Sequence, residues 1–293
     1  MKKRATFYIV VLLVLTWAAN LLRKLELLTV LDDAGLAVFK PVTAVLIVLC
    51  VLVAAFCVLF VRKTVPANGP GEAERYPGLG LSAVVCAAVC LLVQLYGAWL
   101  LFQDWKRDGS ALDLILALLA GLAGAGWLSL RLTEWKVKLS AGTRLLAGSL
   151  VTLFYCLWLI VYYRDEAPEP SLILTVYGFL ALCASCVAAY YIAGGCVGKL
   201  RPRSTPVICG LALFLSMVAQ VRGEEPSAFR LFWLAGAMQF ALSAFVLLCD
   251  PLPEPEAPPE EEPAPEPGEG EGGPAPSEFP AEEAAEPDAG EEG

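Results

Sequence analysis

The chain has 293 residues, 57% of them hydrophobic and 17% charged, with a formal net charge of −9. That apolar excess excludes an ordinary soluble domain, and the absence of histidine excludes His-based proton shuttles, His metal ligands and His-assisted nucleophiles. The charge is segregated: 16 acids and no Lys or Arg follow Cys249, whereas 21 cations and 14 acids precede Asp250, so a mildly basic body carries an acidic tail.

Met1-Lys2-Lys3-Arg4 leads into an apolar run over Ala5–Leu22. A basic start, a short apolar stretch and a small residue at Ala18 also fit a cleaved signal peptide. An uncleaved first span is preferred, because Leu21, Leu25 and Leu28 continue at helical spacing and lengthen the helix. Either version delivers Arg23 to the outer side.

Seven further apolar segments follow at Pro41–Val61, Leu79–Phe102, Ala111–Leu130, Leu145–Tyr163, Ser171–Val197, Thr205–Val221 and Leu231–Cys249. Each is about long enough to cross a ~30 Å hydrocarbon core at ~1.5 Å per residue. Pro41 and Pro206 fit helix starts, where a missing N–H costs nothing. Trp17, Trp99, Trp105, Trp127, Trp135, Tyr162, Tyr163, Tyr190 and Tyr191 gather at segment ends, as an aromatic belt requires. The expected fold is an all-α, eight-helix transmembrane bundle over residues 1–249. Asp250–Gly293, built of Pro, Glu, Gly and Ala, reads as a disordered cytoplasmic tail.

Orientation follows from Lys and Arg. With the N-terminus inside, inner stretches carry 13 cations and outer loops 8. The strongest signal is Arg131–Arg144, four cations against one acid, read as a cytoplasmic loop between two halves. Both termini then lie inside, and the Lys-Lys-Arg start with an Ala/Leu/Val/Gly bias points to a bacterial cytoplasmic membrane. A weak internal repeat relates the halves: Gln103-x6-Ser110-Ala111-Leu112 returns as Gln220-x6-Ser227-Ala228-Phe229, and Val53–Phe56 echoes Val187–Tyr190.

Few residues invite chemistry. Cys183 and Cys186 have the spacing of a redox dithiol, but they lie deep in the sixth span with no cation nearby in sequence, so two small packing residues are the preferred reading. All ten cysteines fall in or beside apolar segments, where reduced thiols serve as small, soft fillers. Stripes of small residues (Ser82, Cys86, Cys90; Ala117, Gly121, Ala125; Ala181, Ser185, Ala189, Ala193) read as helix contacts. Asp113 is taken as the one charge inside a span, and its spacing from Ser110 makes it a helix cap. Gln94 and Gln239, with Tyr155, Tyr177 and Ser216, form either a polar path or interhelical hydrogen bonds, with the second preferred.

No catalytic residue, metal site or cofactor motif emerges. The partners implied are the lipid bilayer, another membrane protein and a basic cytoplasmic protein for the tail; nothing points to nucleic acid. The expected role is a non-enzymatic accessory, interaction or permease-like component. A transporter of an uncharged or lipophilic solute is the first alternative, and a thiol-redox enzyme a distant one.

Overall fold

A computed structural model of the chain describes residues 2–29, 41–65, 81–134, 139–166, 172–221 and 227–249. The Trp135 belt position, the connecting residues between these stretches and the acidic tail lie outside them. Eight helices and no strand occur among the described residues: α1 (Lys2–Thr29), α2 (Pro41–Thr64), α3 (Leu81–Asp108), α4 (Ala111–Glu134), α5 (Ala141–Glu166), α6 (Leu172–Gly195), α7 (Ser204–Ala219) and α8 (Ser227–Cys249). Seven are long and apolar enough to cross a membrane; α7, with 16 residues, is apolar but shorter.

All eight belong to one unit, and their contacts define a closed ring. Each helix from α3 to α8 packs on the next, and α8 returns to α3. Helices α1 and α2 lie outside this ring, α1 against α7 and α8 and α2 against α7. That arrangement covers the outer side of α7, which explains how a helix only about 24 Å long can be among the most buried. The two halves named by the weak repeat therefore differ in role, since α5–α8 all join the ring and α1 and α2 do not.

Aromatic side chains fill the ring. Phe154, Tyr155 and Trp158 of α5 meet Phe229, Phe232, Trp233 and Phe240 of α8, which stands opposite, and the Trp158 and Trp233 rings lie 4.4 Å apart. Trp127 of α4 joins edge-on to Phe240. Trp127 was expected in the interfacial belt and is instead a core residue, as is Tyr162; Trp17, Trp99, Tyr163 and Tyr190 do face outward. Outward faces elsewhere are apolar too: Val48, Val51, Leu59, Leu92, Leu118 and Ile160 are all more than half exposed. Lipid, rather than water, suits such a surface.

Small residues set how closely the helices approach. The α6 stripe Ala181, Ser185, Ala189 and Ala193 is buried as expected, with Ala193 lying where a Cβ on Gly148 of α5 would go. The α4 stripe is not: Ala125 faces out, and the buried line runs through Ala120, Ala123 and Trp127. Three tyrosines also key into glycines on another helix. The hydroxyls of Tyr162, Tyr8 and Tyr155 occupy the space that a Cβ would need at Gly178, Gly210 and Gly236. Tyr8 donates to the Pro206 carbonyl at 3.3 Å, and its ring stacks on Phe56 and Phe60 of α2.

Candidate functional site

Charge enters the bundle at two places that sequence reading assigned elsewhere. Arg23 was placed on the outer side beyond the first span, but α1 continues to Thr29 and buries both Arg23 and Glu26. The reason lies in two faces of one helix. Leu21, Leu25 and Leu28 point outward, so the other side of α1, carrying Thr16, Ala19, Arg23 and Glu26, turns into the protein. The Arg23 guanidinium pairs with the Glu26 carboxylate one turn on and sits over the Tyr177 ring of α6, 4.5 Å from its centre. The cost of burying the Arg23 charge is offset by an opposite charge and an aromatic face.

The second place is the end of the bundle where α4, α6 and α8 finish and α5 begins. Helix α4 extends to Glu134, so Arg131 belongs to its last turn rather than to a loop, and it is 3% exposed. Its guanidinium donates to the Ser243 hydroxyl and, at 3.4 Å, to the Gln239 carbonyl of α8. Ser243 itself donates to that same carbonyl at 2.8 Å. Ser140 starts α5, accepting the Thr143 N–H at 3.1 Å, and so sets Arg144 in the first turn. The Nε of Arg144 is out of contact with solvent and donates to no group among the described residues.

Between these groups lies a cavity of about 20 Å³, room for about one water. Arg131, Arg144, Thr133, Cys196 and Ser243 supply its polar wall, and Trp127, Leu130, Ile192 and Leu247 its apolar one. No carboxylate lines it among residues whose side chains are described. Asp113 was taken as the one charge inside a span; Arg23, Glu26 and Arg131 correct that reading. Asp113 does stand in the first turn of α4, within 4.0 Å of Arg164 at the end of α5.

The five residues named for a polar path are all buried but do not assemble into one. Tyr177 belongs to the Arg23 pair, and Tyr155 to the aromatic fill. Gln94 lies against Gly124 of α4, and no hydrogen bond joins it to Gln239. Gln239 contributes its backbone carbonyl to Arg131, while its side-chain Oε1 is buried and accepts no bond among the described residues. Ser216 sits within α7, its carbonyl taking the Gln220 N–H. Cys183 and Cys186 are half-buried free thiols on α6, and Cys186 also lies against Cys156 of α5. Neither lines the cavity; Cys196 does.

Sequence reading missed Arg131, Arg144, Thr133 and Ser243 as a group. The signal was present as the most cationic stretch of the body, Arg131–Arg144, but its two end residues fold back onto helices. The chain matches no protein-family model, no curated protein and no solved structure.

Proposed function

We propose that this is an eight-span, non-enzymatic component of a bacterial cytoplasmic membrane, an accessory, interaction or permease-like protein with both termini cytoplasmic. The observation that carries the reading is the filled ring. Phe154, Tyr155, Trp158, Phe232, Trp233 and Phe240 are each no more than 2% exposed and occupy the space a solute would cross. A transporter of an uncharged or lipophilic solute needs that space to be wet or open at some stage of its cycle. The redox alternative would need Cys183 or Cys186 beside a pocket, and the cavity lies elsewhere. Eight crossings include the short α7, which α1 and α2 shield from lipid. Moving Arg23 and Arg131 into helices removes one cation from each side of the orientation count and leaves its sign unchanged.

Two measurements test this. A cytoplasm-active reporter fused after Ser140 or Arg203 should work and one after Glu166 should fail; the reverse pattern ends the orientation. Cys90 and Cys209, both buried in the bundle, should resist a hydrophilic maleimide in intact membranes, scored by site-resolved mass spectrometry. Rapid labelling of either would reveal a water path and favour transport.

A further inference from the structure

Free cysteine ranks among the most buried residue types, and Cys57 and Cys209 follow that rule as small, soft fillers inside the bundle. Cys156 does not. It is exposed on the outer face of α5, in line with Leu153 and Ile160, both more than half exposed. Its thiol also hydrogen-bonds with the half-buried Cys186 thiol of α6. We propose that Cys156 and Cys186 form a redox clasp on the lipid-facing seam of α5 and α6, which a membrane quinone closes to an interhelical disulfide.

Helix register brings the two thiols together. Helices α5 and α6 run antiparallel and approach closely at two glycines: Ala193 fills the Cβ space of Gly148, and the Tyr162 hydroxyl fills that of Gly178. Counted inward from either contact, Cys156 stands level with Ala184 or Ser185, beside Cys186, so the backbones are drawn together on both sides of the pair. A disulfide needs Cβ atoms about 3.8 Å apart, whereas residues three or four apart on one helix hold theirs at about 5–6 Å. The same-helix pairs Cys183–Cys186 and Cys86–Cys90 therefore cannot close without breaking a helix, even though Cys86 hydrogen-bonds with Cys90. The pair across α5 and α6 is under no such limit.

Depth selects the oxidant. Cys156 is the sixteenth of 26 residues in α5 and Cys186 the fifteenth of 24 in α6, both near mid-span. Leu180 and Val187 are exposed beside the α6 thiols, so the seam opens on hydrocarbon rather than on water. Hydrocarbon neither solvates a thiolate nor carries a released proton away. A quinone meets both limits, because it dissolves as a neutral molecule and takes up protons together with electrons. Two S–H bonds break and one S–S bond forms; both electrons and both protons pass to the quinone, which leaves as the hydroquinone. The consequence is structural: the disulfide locks a contact that Gly148 and Gly178 already make close. The inference rests on the membrane-spanning reading and not on its orientation, since mid-span is reached from either leaflet.

The test uses the full-length protein, reduced and sealed in liposomes without oxygen, to which decylubiquinone is added. Free thiols are then blocked in denaturant, and linked peptides are read by mass spectrometry. The wild type should yield a Cys156–Cys186 linkage, with one hydroquinone formed for each disulfide. Cys156→Ser and Cys186→Ser should each lose both signals, and Cys183→Ser should keep both. Linkage confined to Cys183 and Cys186, quinone bound to a thiol without linkage, or equal linkage under oxygen with no quinone would each overturn the proposal. Rapid labelling of Cys156 by a hydrophilic maleimide in the same liposomes would put the seam in water and sink the membrane-spanning reading along with the clasp. A Cys156 shielded from maleimide yet left reduced by the quinone would sink the clasp alone.

Discussion

The two buried arginines solve one physical problem in different ways. Arg23 carries its counter-charge on its own helix, three residues away, and a tyrosine ring closes the remaining side. Arg131 reaches across to another helix for a hydroxyl and a backbone carbonyl, both neutral, and it opens on a cavity that holds a second guanidinium. The first arrangement draws its ion pair from α1 and its aromatic face from α6. The second is shared between helices, with the Trp127 ring of α4 5.8 Å from the guanidinium and the hydroxyl and carbonyl supplied by α8. A buried charge held by its own helix fixes that helix, whereas one held across helices ties two of them together.

The largest effect should come from opening the closed site. Glu26→Gln leaves Arg23 buried without its carboxylate and should cost about 3–5 kcal/mol, read as a lowered unfolding temperature in detergent. The double change Arg23→Leu with Glu26→Leu should recover most of that loss, because a well-packed apolar pair often matches a buried ion pair. A neutral single variant would show that the pair does not hold α1 in place.

Ser243→Ala removes a hydrogen bond to a charged group and should cost about 1.5–3 kcal/mol by the same measurement. A loss equal to that of Glu26→Gln would mean that the Arg131 site is as self-contained as the Arg23 site, and the contrast would fail. Smallest of all is truncation after Pro253. The removed segment is rich in Pro, Glu, Gly and Ala and has no apolar run that could enter the bundle. Its loss should change stability by less than about 0.5 kcal/mol, the range of surface changes. A larger drop would show that the tail contributes to holding the bundle together.

Helix positions were legible because apolar runs of this length admit few other structures. Their ends were not. Helix α3 runs on to Asp108 through Asp104, Lys106 and Arg107, since backbone hydrogen bonding continues after hydropathy has fallen. It stops where Gly109 adopts a φ of +71°, a conformation that glycine tolerates best. Buried charge was hidden by the outward stripe of α1, whose leucines signal a helix in lipid and say nothing of the opposite face. Trp127 misled for a related reason: an aromatic near the end of a span suits the headgroup layer or the core equally well. Gln94 and Gln239 read as partners by depth alone. They lie on helices that do touch, α3 and α8, but Gln94 turns to α4 and only the backbone carbonyl of Gln239 meets Arg131. Which helices face each other is set by ring closure, and no local pattern encodes it.

Ring closure also sets an order in time. Helix α3 leaves the ribosome well before its partner α8, which is complete only at Cys249. At ~5–20 residues per second, the interval between the two is roughly seven to thirty seconds. Throughout it, the face of α3 that α8 will cover has no permanent neighbour. Each of the three tyrosine keys likewise precedes its glycine in the chain: Tyr8 before Gly210, Tyr155 before Gly236, Tyr162 before Gly178. The protruding half of every such joint is therefore already in the membrane when the recessed half arrives, and α8, carrying the recess for Tyr155 and the rings that fill the centre, is the closing piece of the assembly.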